Sequence, residues 1–411
     1  MKIKITRLTE PIKSFMPLPA SKSISNRVLI IQALCHEKFK IKNLAEADDT
    51  KVLVAALENL NKEEIHIGAA GTAMRFLTAY LSMIRGEGTL TGSSRMKQRP
   101  VFPLVNILQE LGADIEYLEK EGYPPLKIKG KNLSSKPVRI KGNISSQYIS
   151  ALLMIAPYFD QDFTLTIEDK ILSRDYIQMT IELMRYFGAD VVWNNNEIMI
   201  KKGIYQPREI IVEADWSSAS YWFEIISLTE GSTVELTGLS KNSLQGDAVL
   251  PELYSLLGVD SVFTNFGILI KNVPTTANYF EYDFTNCPDL AQTLAVTLIA
   301  KKIPFKLSGL DNLSIKETDR IQALVIEFGK LGIHLQSTSN SLSWKGKETI
   351  KVPENHFVET YEDHRMALAF APLSVITNEM IINDPEVVTK SYPNYWKNLE
   401  EVGFNIEYIK Y

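Results

Sequence analysis

One order of elements returns six times along this 411-residue chain. A small or polar residue opens an apolar helix; a short strand, a loop, a second helix and further strands follow. The spacing predicts first helices opening near Ser21 (SKSISNRVLIIQAL), Gly71 (GTAMRFLTAYLSMI), Ser145 (SSQYISALLMIAPYF), Ser217 (SSASYWFEIISL), Pro288 (PDLAQTLAVTLIA) and Asp363 (DHRMALAFAPLSVI). Second helices are predicted in DTKVLVAALENL, RPVFPLVNILQELGADI, RDYIQMTIELMRYFGADV, GDAVLPELYSLLGVD, ETDRIQALVIEFGKLGI and YPNYWKNLEEVGF. Four of these close on Leu-Gly or Phe-Gly before Ala, Val or Ile, a helix C-terminus turning into a strand.

Successive starts lie about 70–75 residues apart, with about 50 for the first interval, too long a period and too few copies for a solenoid. The fold class is therefore α/β: six βαβαββ-like repeats in two domains, three per domain. The sixth repeat runs out of chain after FNIEYIKY, and the opening strand Lys2–Ile5 can complete it, which places both ends of the sequence in one domain. The expected division is 1–20 plus 217–411 as one domain and 21–216 as an inserted one. Pro17, Pro19 and Ala20 at the first crossing and Glu213–Ser217 at the second are the expected hinges.

Composition narrows the function. A net charge of −5 argues against a nucleic-acid binder, which carries a basic excess, so local basic clusters need a local reason. MKIKITRLTE alternates like a strand and lacks an apolar signal core, and the longest apolar runs fall far short of the ~20 residues that span a bilayer. A cytoplasmic protein is expected. Two cysteines make no disulfide framework; Cys35 falls on an apolar helix face and Cys287, before Pro288, is expected to be structural. The five histidines form no close-spaced ligand pair, so no metal is expected.

The unusual polar residues occupy equivalent places in the repeats. Lys22, Ser23 and Arg27, Gly71 and Thr72, Ser145, Ser146 and Gln147, Asp289, and His364 and Arg365 stand at starts of first helices. Arg95, Ser173, Lys316, Glu317, Arg320 and Lys390 stand before second helices or in their first turns. A helix N-terminus offers unpaired N–H groups and partial positive charge, so a cation there opposes the dipole unless an anion joins it. Repeated cations at such starts point to a polyanionic ligand. Each residue alone also has a plainer reading. The serines can be N-caps, Gly71 can relax a turn, KETDR can be a charged first turn capped by Thr318 or Asp319, and His364 beside Asp363 can be structural.

With these residues in place, LPASKSISNR, AAGTAMR, RMKQRP, SSQYISALL, CPDLAQTLA, NLSIKETDR, EDHRMALA and VTKSYPNYW become recognisable. From Leu18 to Trp396 the chain resembles the 5-enolpyruvylshikimate-3-phosphate synthases of the enolpyruvyl transferase family. The resemblance implies a two-domain inside-out α/β barrel with helix starts facing an interdomain cleft that holds the active site. It implies transfer of the enolpyruvyl group of phosphoenolpyruvate to the 5-hydroxyl of shikimate 3-phosphate, with release of phosphate through a tetrahedral intermediate. That step belongs to the shikimate pathway, leading to chorismate and the aromatic amino acids.

The resemblance further implies Ser23, Arg27, Ser145, Ser146, Ser173, Asp289, Asn312 and Lys316 as the residues holding shikimate 3-phosphate. Lys22, Gly71, Arg95, Gln147, Arg320, Arg365 and Lys390 are implied around phosphoenolpyruvate. Proton transfer falls to Asp289 at the 5-hydroxyl and Glu317 at the methylene carbon, with Lys22, Lys390 and His364 as further catalytic candidates. No cofactor is implied, the partners are the two small substrates, and a monomer is expected. The family's NAGTAMRP is AAGTAMRF here, with Ala69 and Phe76 the departures. The retained Gly71 implies room for glyphosate at the phosphoenolpyruvate position. Two rivals are a sister transferase acting on UDP-N-acetylglucosamine and a non-catalytic polyanion-binding repeat protein. Ser23 after Lys22 and the lack of a cysteine in the loop before RMKQRP separate the chain from the first, and the proton-transfer residues from the second.

Overall fold

The computed structural model describes residues 1–7, 10–354 and 356–409. Leu8 and Thr9 of the opening segment, and Lys410 and Tyr411 of FNIEYIKY, lie outside them. The chain divides into two compact units, Met1–Ala20 with Glu213–Tyr411, and Ser21–Val212.

In the Ser21–Val212 unit the first helices are Lys22–Leu34, Gly71–Leu81 and Ser146–Ile155. They are buried nearly all round, and in Lys22–Leu34 the buried face includes the polar Ser25, Asn26 and Arg27 beside the apolar run. Ser21 and Ser145 open two of them with side-chain caps, accepting from Ile24 N and Gln147 N. The second helices, Asp48–Glu58, Phe102–Glu110 and Arg174–Tyr186, bury one face only. Two four-stranded sheets run in the order Glu64–His66, Gly86–Thr91, Leu126–Gly130, Asp114–Tyr117 and Val191–Asn194, Glu197–Ile200, Phe163–Glu168, Val138–Lys141. Phe163–Glu168 alternates buried and half-buried positions, one side chain in two facing the core.

The other unit repeats the plan with first helices Trp216–Leu228, Ala291–Ala300 and His364–Phe370, the last buried at every position. Its second helices are Leu250–Ser255, Arg320–Lys330 and Tyr395–Glu401. A short 3₁₀ turn, Pro288–Leu290, precedes Ala291–Ala300, so Asp289 sits in a tight turn ahead of the α-helix.

Each four-stranded sheet holds one parallel pair, for example Glu64–His66 with Gly86–Thr91 and Phe280–Asp283 with Phe305–Ser308. A parallel pair demands a crossover, and here the first helix supplies it. For Lys13–Pro17 and Thr233–Thr237 the crossover also contains the whole Ser21–Val212 unit.

Two repeats depart from the plan. In the first, FKIKNL contributes only Ile41–Lys42, paired in parallel with Ile210–Ile211 from far along the chain. In the sixth, Lys2–Arg7 is the central strand between Glu379–Asn383 and Phe404–Ile409, antiparallel to both. The opening strand thus completes the last repeat, as the sequence suggested.

Candidate active site

The functional residues fall into two clusters of different character, one in each unit. In the Ser21–Val212 unit the cluster is cationic and hydroxyl-rich. Arg27 is 2% exposed, with no carboxylate against it among the described residues. Its Nε donates to Thr180 Oγ1 at 2.7 Å, Nη1 to the Ser23 carbonyl at 2.8 Å, and Nη2 to Ser150 Oγ and the Tyr176 carbonyl, both at 3.2 Å. Among the described residues these contacts use four of its five N–H donors, which leaves one on Nη1. Burial without a counter-charge brings its pKa down to about 10, so an incoming anion relieves a cost the fold already carries.

Lys22 pairs with Asp49 at 3.1 Å. Gln147 Nε2 donates to Thr72 Oγ1 at 3.2 Å, which joins the starts of Ser146–Ile155 and Gly71–Leu81. Ser146 and Ser173 are buried, and Ser173 takes a left-handed backbone (φ 54°) at the N-cap of Arg174–Tyr186. Ser23 and Ser145 are half-buried at their helix starts. Arg95, half-buried, precedes the Met96–Gln98 turn. The guanidinium against Gly71 is that of Arg99: a Cβ added at Gly71 would come within 2.7 Å of both its Nη atoms. Arg99 is buried, and its Nε has no hydrogen-bond partner among the described residues. Arg99 lies within RMKQRP but is not among the residues the sequence pointed to. Phe76 is fully buried, with the Arg27 guanidinium 5.5 Å from its ring centre.

In the other unit the cluster mixes acids and bases. Arg320, the first residue of its helix and 2% exposed, is its hub. Its Nε donates to Asp363 Oδ2 at 2.7 Å, Nη1 to Asp289 Oδ1 at 2.9 Å and Nη2 to Glu317 Oε2 at 2.9 Å. Burial works against its charge, but Asp363, Glu317 and Asp289 together raise its pKa above the ordinary arginine value. Asp363 also caps His364–Phe370, accepting from Arg365 N at 2.9 Å. His364 Nδ1 lies 3.6 Å from Asp363 Oδ1.

Arg365 Nη2 meets Asp289 Oδ2 at 3.0 Å, and Lys316 Nζ lies 3.9 Å from Asp289 Oδ1. Lys390 Nζ meets Glu317 Oε1 at 3.2 Å. Burial alone would raise the Asp289 pKa, but Arg365, Lys316 and Arg320 outweigh it and hold this carboxyl well below the usual range. Asn312, buried, precedes the Leu313–Ile315 turn that leads into Lys316.

The structure therefore brings Asp289, Lys316, Glu317, Arg320, His364, Arg365 and Lys390 into one network. Asp363 and Asp247 belong to it and were not singled out as site residues in the sequence. Asp363 appeared there as a helix opener and as the neighbour of His364, and its chemical importance comes from a guanidinium 43 positions away in the chain. Asp49 is the corresponding omission in the other unit.

Known proteins resemble this chain along nearly its whole length. The sequence model of the family described as EPSP synthase (3-phosphoshikimate 1-carboxyvinyltransferase) matches residues 6–67 and 61–399. A 3-phosphoshikimate 1-carboxyvinyltransferase of Bacteroides fragilis (strain YCH46) is 48% identical over 398 residues, covering 96% of this chain and 97% of that protein. One from Sulfurovum sp. (strain NBC37-1) is 37% identical over 420 residues, covering 95% of this chain and 97% of that protein. The solved EPSP synthase of Acinetobacter baumannii shares the fold, with a TM-score of 0.80 at 22% identity over 99% of this chain and 100% of that one. A family match over nearly the whole sequence, relatives of full length and the same α/β fold lead to one statement: this chain belongs to the EPSP synthase family.

Proposed function

We infer that this protein transfers the enolpyruvyl group of phosphoenolpyruvate to the 5-hydroxyl of shikimate 3-phosphate and releases phosphate. The observation that carries the reading is the position of Arg320, with Asp289 and Glu317 each 2.9 Å from its guanidinium. Two carboxylates with different surroundings, set among four cations, suit a reaction in which one proton leaves a hydroxyl while another enters and leaves a carbon.

The division of labour follows from those surroundings. The Ser21–Val212 cluster supplies hydroxyls, amide N–H groups and cations with few acids, which suits holding phosphate and carboxylate groups. Ser23, Arg27, Ser145, Ser146 and Ser173 are assigned to shikimate 3-phosphate, with Asn312 and Lys316 from the other unit. Lys22, Gly71, Arg95 and Gln147 are assigned to phosphoenolpyruvate, with Arg320, Arg365 and Lys390.

Asp289, held ionised, accepts the hydrogen bond of the 5-hydroxyl. It is a weak base, and it suffices because the hydroxyl proton becomes strongly acidic as the oxygen bonds to C2. Glu317 delivers a proton to C3 as that bond forms, and the methyl group results. The C2–O bond to phosphate then breaks, the departing phosphate carries off the proton that Asp289 took from the hydroxyl, and Glu317 takes a methyl proton back so that the C2–C3 double bond re-forms in the enol ether product. Lys390 steadies Glu317 between these two duties, and Arg320 and Arg365 stabilise charge on the carboxylate and the departing phosphate. His364, next to the Asp363 cap, orients that part of the network.

Mixing the purified chain with phosphoenolpyruvate and shikimate 3-phosphate, and measuring phosphate together with the enolpyruvyl product, tests the reading. Equal amounts of the two are expected. Absence of both overturns it.

A further inference from the structure

Asp247 lies in the Gly246–Val249 turn and is 3% exposed. Its Oδ2 accepts a hydrogen bond from Ser217 Oγ, while Oδ1 has no hydrogen-bond partner among the described residues. Ser217 Oγ is 3.3 Å from Arg365 Nη2, so a hydroxyl that donates to Asp247 presents its lone pairs to Arg365. The same Nη2 reaches Asp289 Oδ2 at 3.0 Å. One guanidinium thus serves two buried carboxyls, Asp289 directly and Asp247 through a serine. Arg365 Nη1 completes the arrangement with the Asp289 carbonyl at 3.2 Å and Tyr221 Oη at 3.3 Å.

We propose that Asp247 is a positioning residue for the transfer reaction: through Ser217 it orients Arg365, and it takes up a proton when an anionic substrate engages that guanidinium. The inference rests on the functional reading above, in which Arg365 grips phosphoenolpyruvate. The charged groups bearing on Asp247 are Asp289 from the Pro288–Leu290 turn, Arg365 from His364–Phe370 and Asp215 from the cap of Trp216–Leu228. Burial, then Asp289, pushes its carboxyl up to about 7, and Arg365 opposes the rise. An anion on Arg365 weakens that opposition and adds negative charge, so both effects favour the protonated acid. Asp289 keeps its charge because three cations hold it. Asp247 is the member of the pair free to change.

The test is the pH dependence of the phosphoenolpyruvate KM and of kcat for the full chain, for Asp247→Asn and for Ser217→Ala. In the unaltered chain KM is expected to rise as pH passes above about 7, because ionised Asp247 then opposes the incoming anion. In Asp247→Asn, permanently neutral, that rise is expected to shrink by about fivefold or more, the lower end of ordinary coupling between sites. Ser217→Ala cuts the relay but keeps the carboxyl: KM is expected to increase at every pH while its rise with pH persists. A merely structural Asp247 would leave the slope unaltered, so parallel profiles for the unaltered chain and Asp247→Asn overturn the proposal. Should Asp247→Asn fail to fold, an unchanged KM in Ser217→Ala overturns it. An unaltered chain that makes no product from the two substrates sinks the functional reading first, and this inference with it.

Discussion

Arg320 Nε and Asp363 Oδ2 are 2.7 Å apart, with both side chains out of water at 2% and 0% exposure. The acid belongs to the cap of one helix and the base to the first turn of another, so one contact fixes two helix starts together. A cation at a helix N-terminus is unfavourable, and the surrounding carboxylates reverse the balance.

Asp363→Asn keeps the shape and a capping oxygen but removes the charge nearest Arg320. Breaking one partner of a buried ion pair typically costs about 3–5 kcal/mol. Glu317 and Asp289 still neutralise Arg320, so a loss toward the lower end, about 3 kcal/mol, is expected in urea unfolding. Turnover should fall as well, since Arg320 loses the ionic contact that fixes its Nε. An unfolding midpoint equal to that of the unaltered chain would contradict the network drawn here.

Glu317→Gln retains hydrogen bonding toward Arg320 and Lys390 but can neither give nor take the proton at carbon. We expect kcat to drop by about 10²–10⁴-fold, the usual reach of general acid–base catalysis. Shikimate 3-phosphate affinity, measured by calorimetry, should stay within a few-fold. An equal collapse of binding would show that Glu317 holds substrate rather than moving protons.

Stability should respond to pH in opposite senses at two neighbouring acids. Asp289 has a depressed pKa in the folded chain against about 3.9 when unfolded. Its contribution is therefore complete above the unfolded value and disappears as pH falls through the lower folded one. Asp247 behaves inversely. Between about 4 and about 7 the folded chain holds the extra proton, so stability declines as pH rises through that window and then levels off. Asp247→Asn should consequently melt higher than the unaltered chain at pH 8, with the gap closing below about pH 5. A gap independent of pH would contradict this account.

Glu224, inside the Trp216–Leu228 helix, is fully buried, and neither carboxyl oxygen has a hydrogen-bond partner among the described residues. Burial raises its pKa well above the usual value, so it is held as the neutral acid. Nothing in the reaction described above uses it. Replacing an unsatisfied buried polar group by an apolar one of similar volume removes a penalty of about 1–3 kcal/mol. Glu224→Met is thus expected to stabilise the protein in thermal or urea unfolding without altering KM for either substrate. Destabilisation would mean that Glu224 has a buried partner.

The helix starts were legible in the sequence because each is a local pattern, a small or polar residue ahead of an apolar run, repeated until chance is a poor explanation. Lys316, Glu317 and Arg320 could be placed together for the same reason, being neighbours in one motif. Their partners were not legible. Asp363 answers Arg320 across 43 positions, Thr180 answers Arg27 across 153, and Ser217 answers Arg365 across 148. Such pairings depend on which helix starts the topology makes neighbours, which no local window contains. Ile41–Lys42 shows the complementary failure: FKIKNL looks like its five counterparts but pairs over only two residues, because its partner is the short Ile210–Ile211 segment.

The central place of Lys2–Arg7, between Glu379–Asn383 and Phe404–Ile409, bears on how the molecule comes into being. That strand leaves the ribosome well ahead of both its neighbours, so it must wait for them through the synthesis of everything that lies between. Ser21–Val212, one unbroken stretch, has all of its own pairings as soon as it emerges and is positioned to fold ahead. The inserted unit can thus settle before the unit that surrounds it, and Lys2–Arg7, though made earlier than either of its neighbours, finds its place only after both.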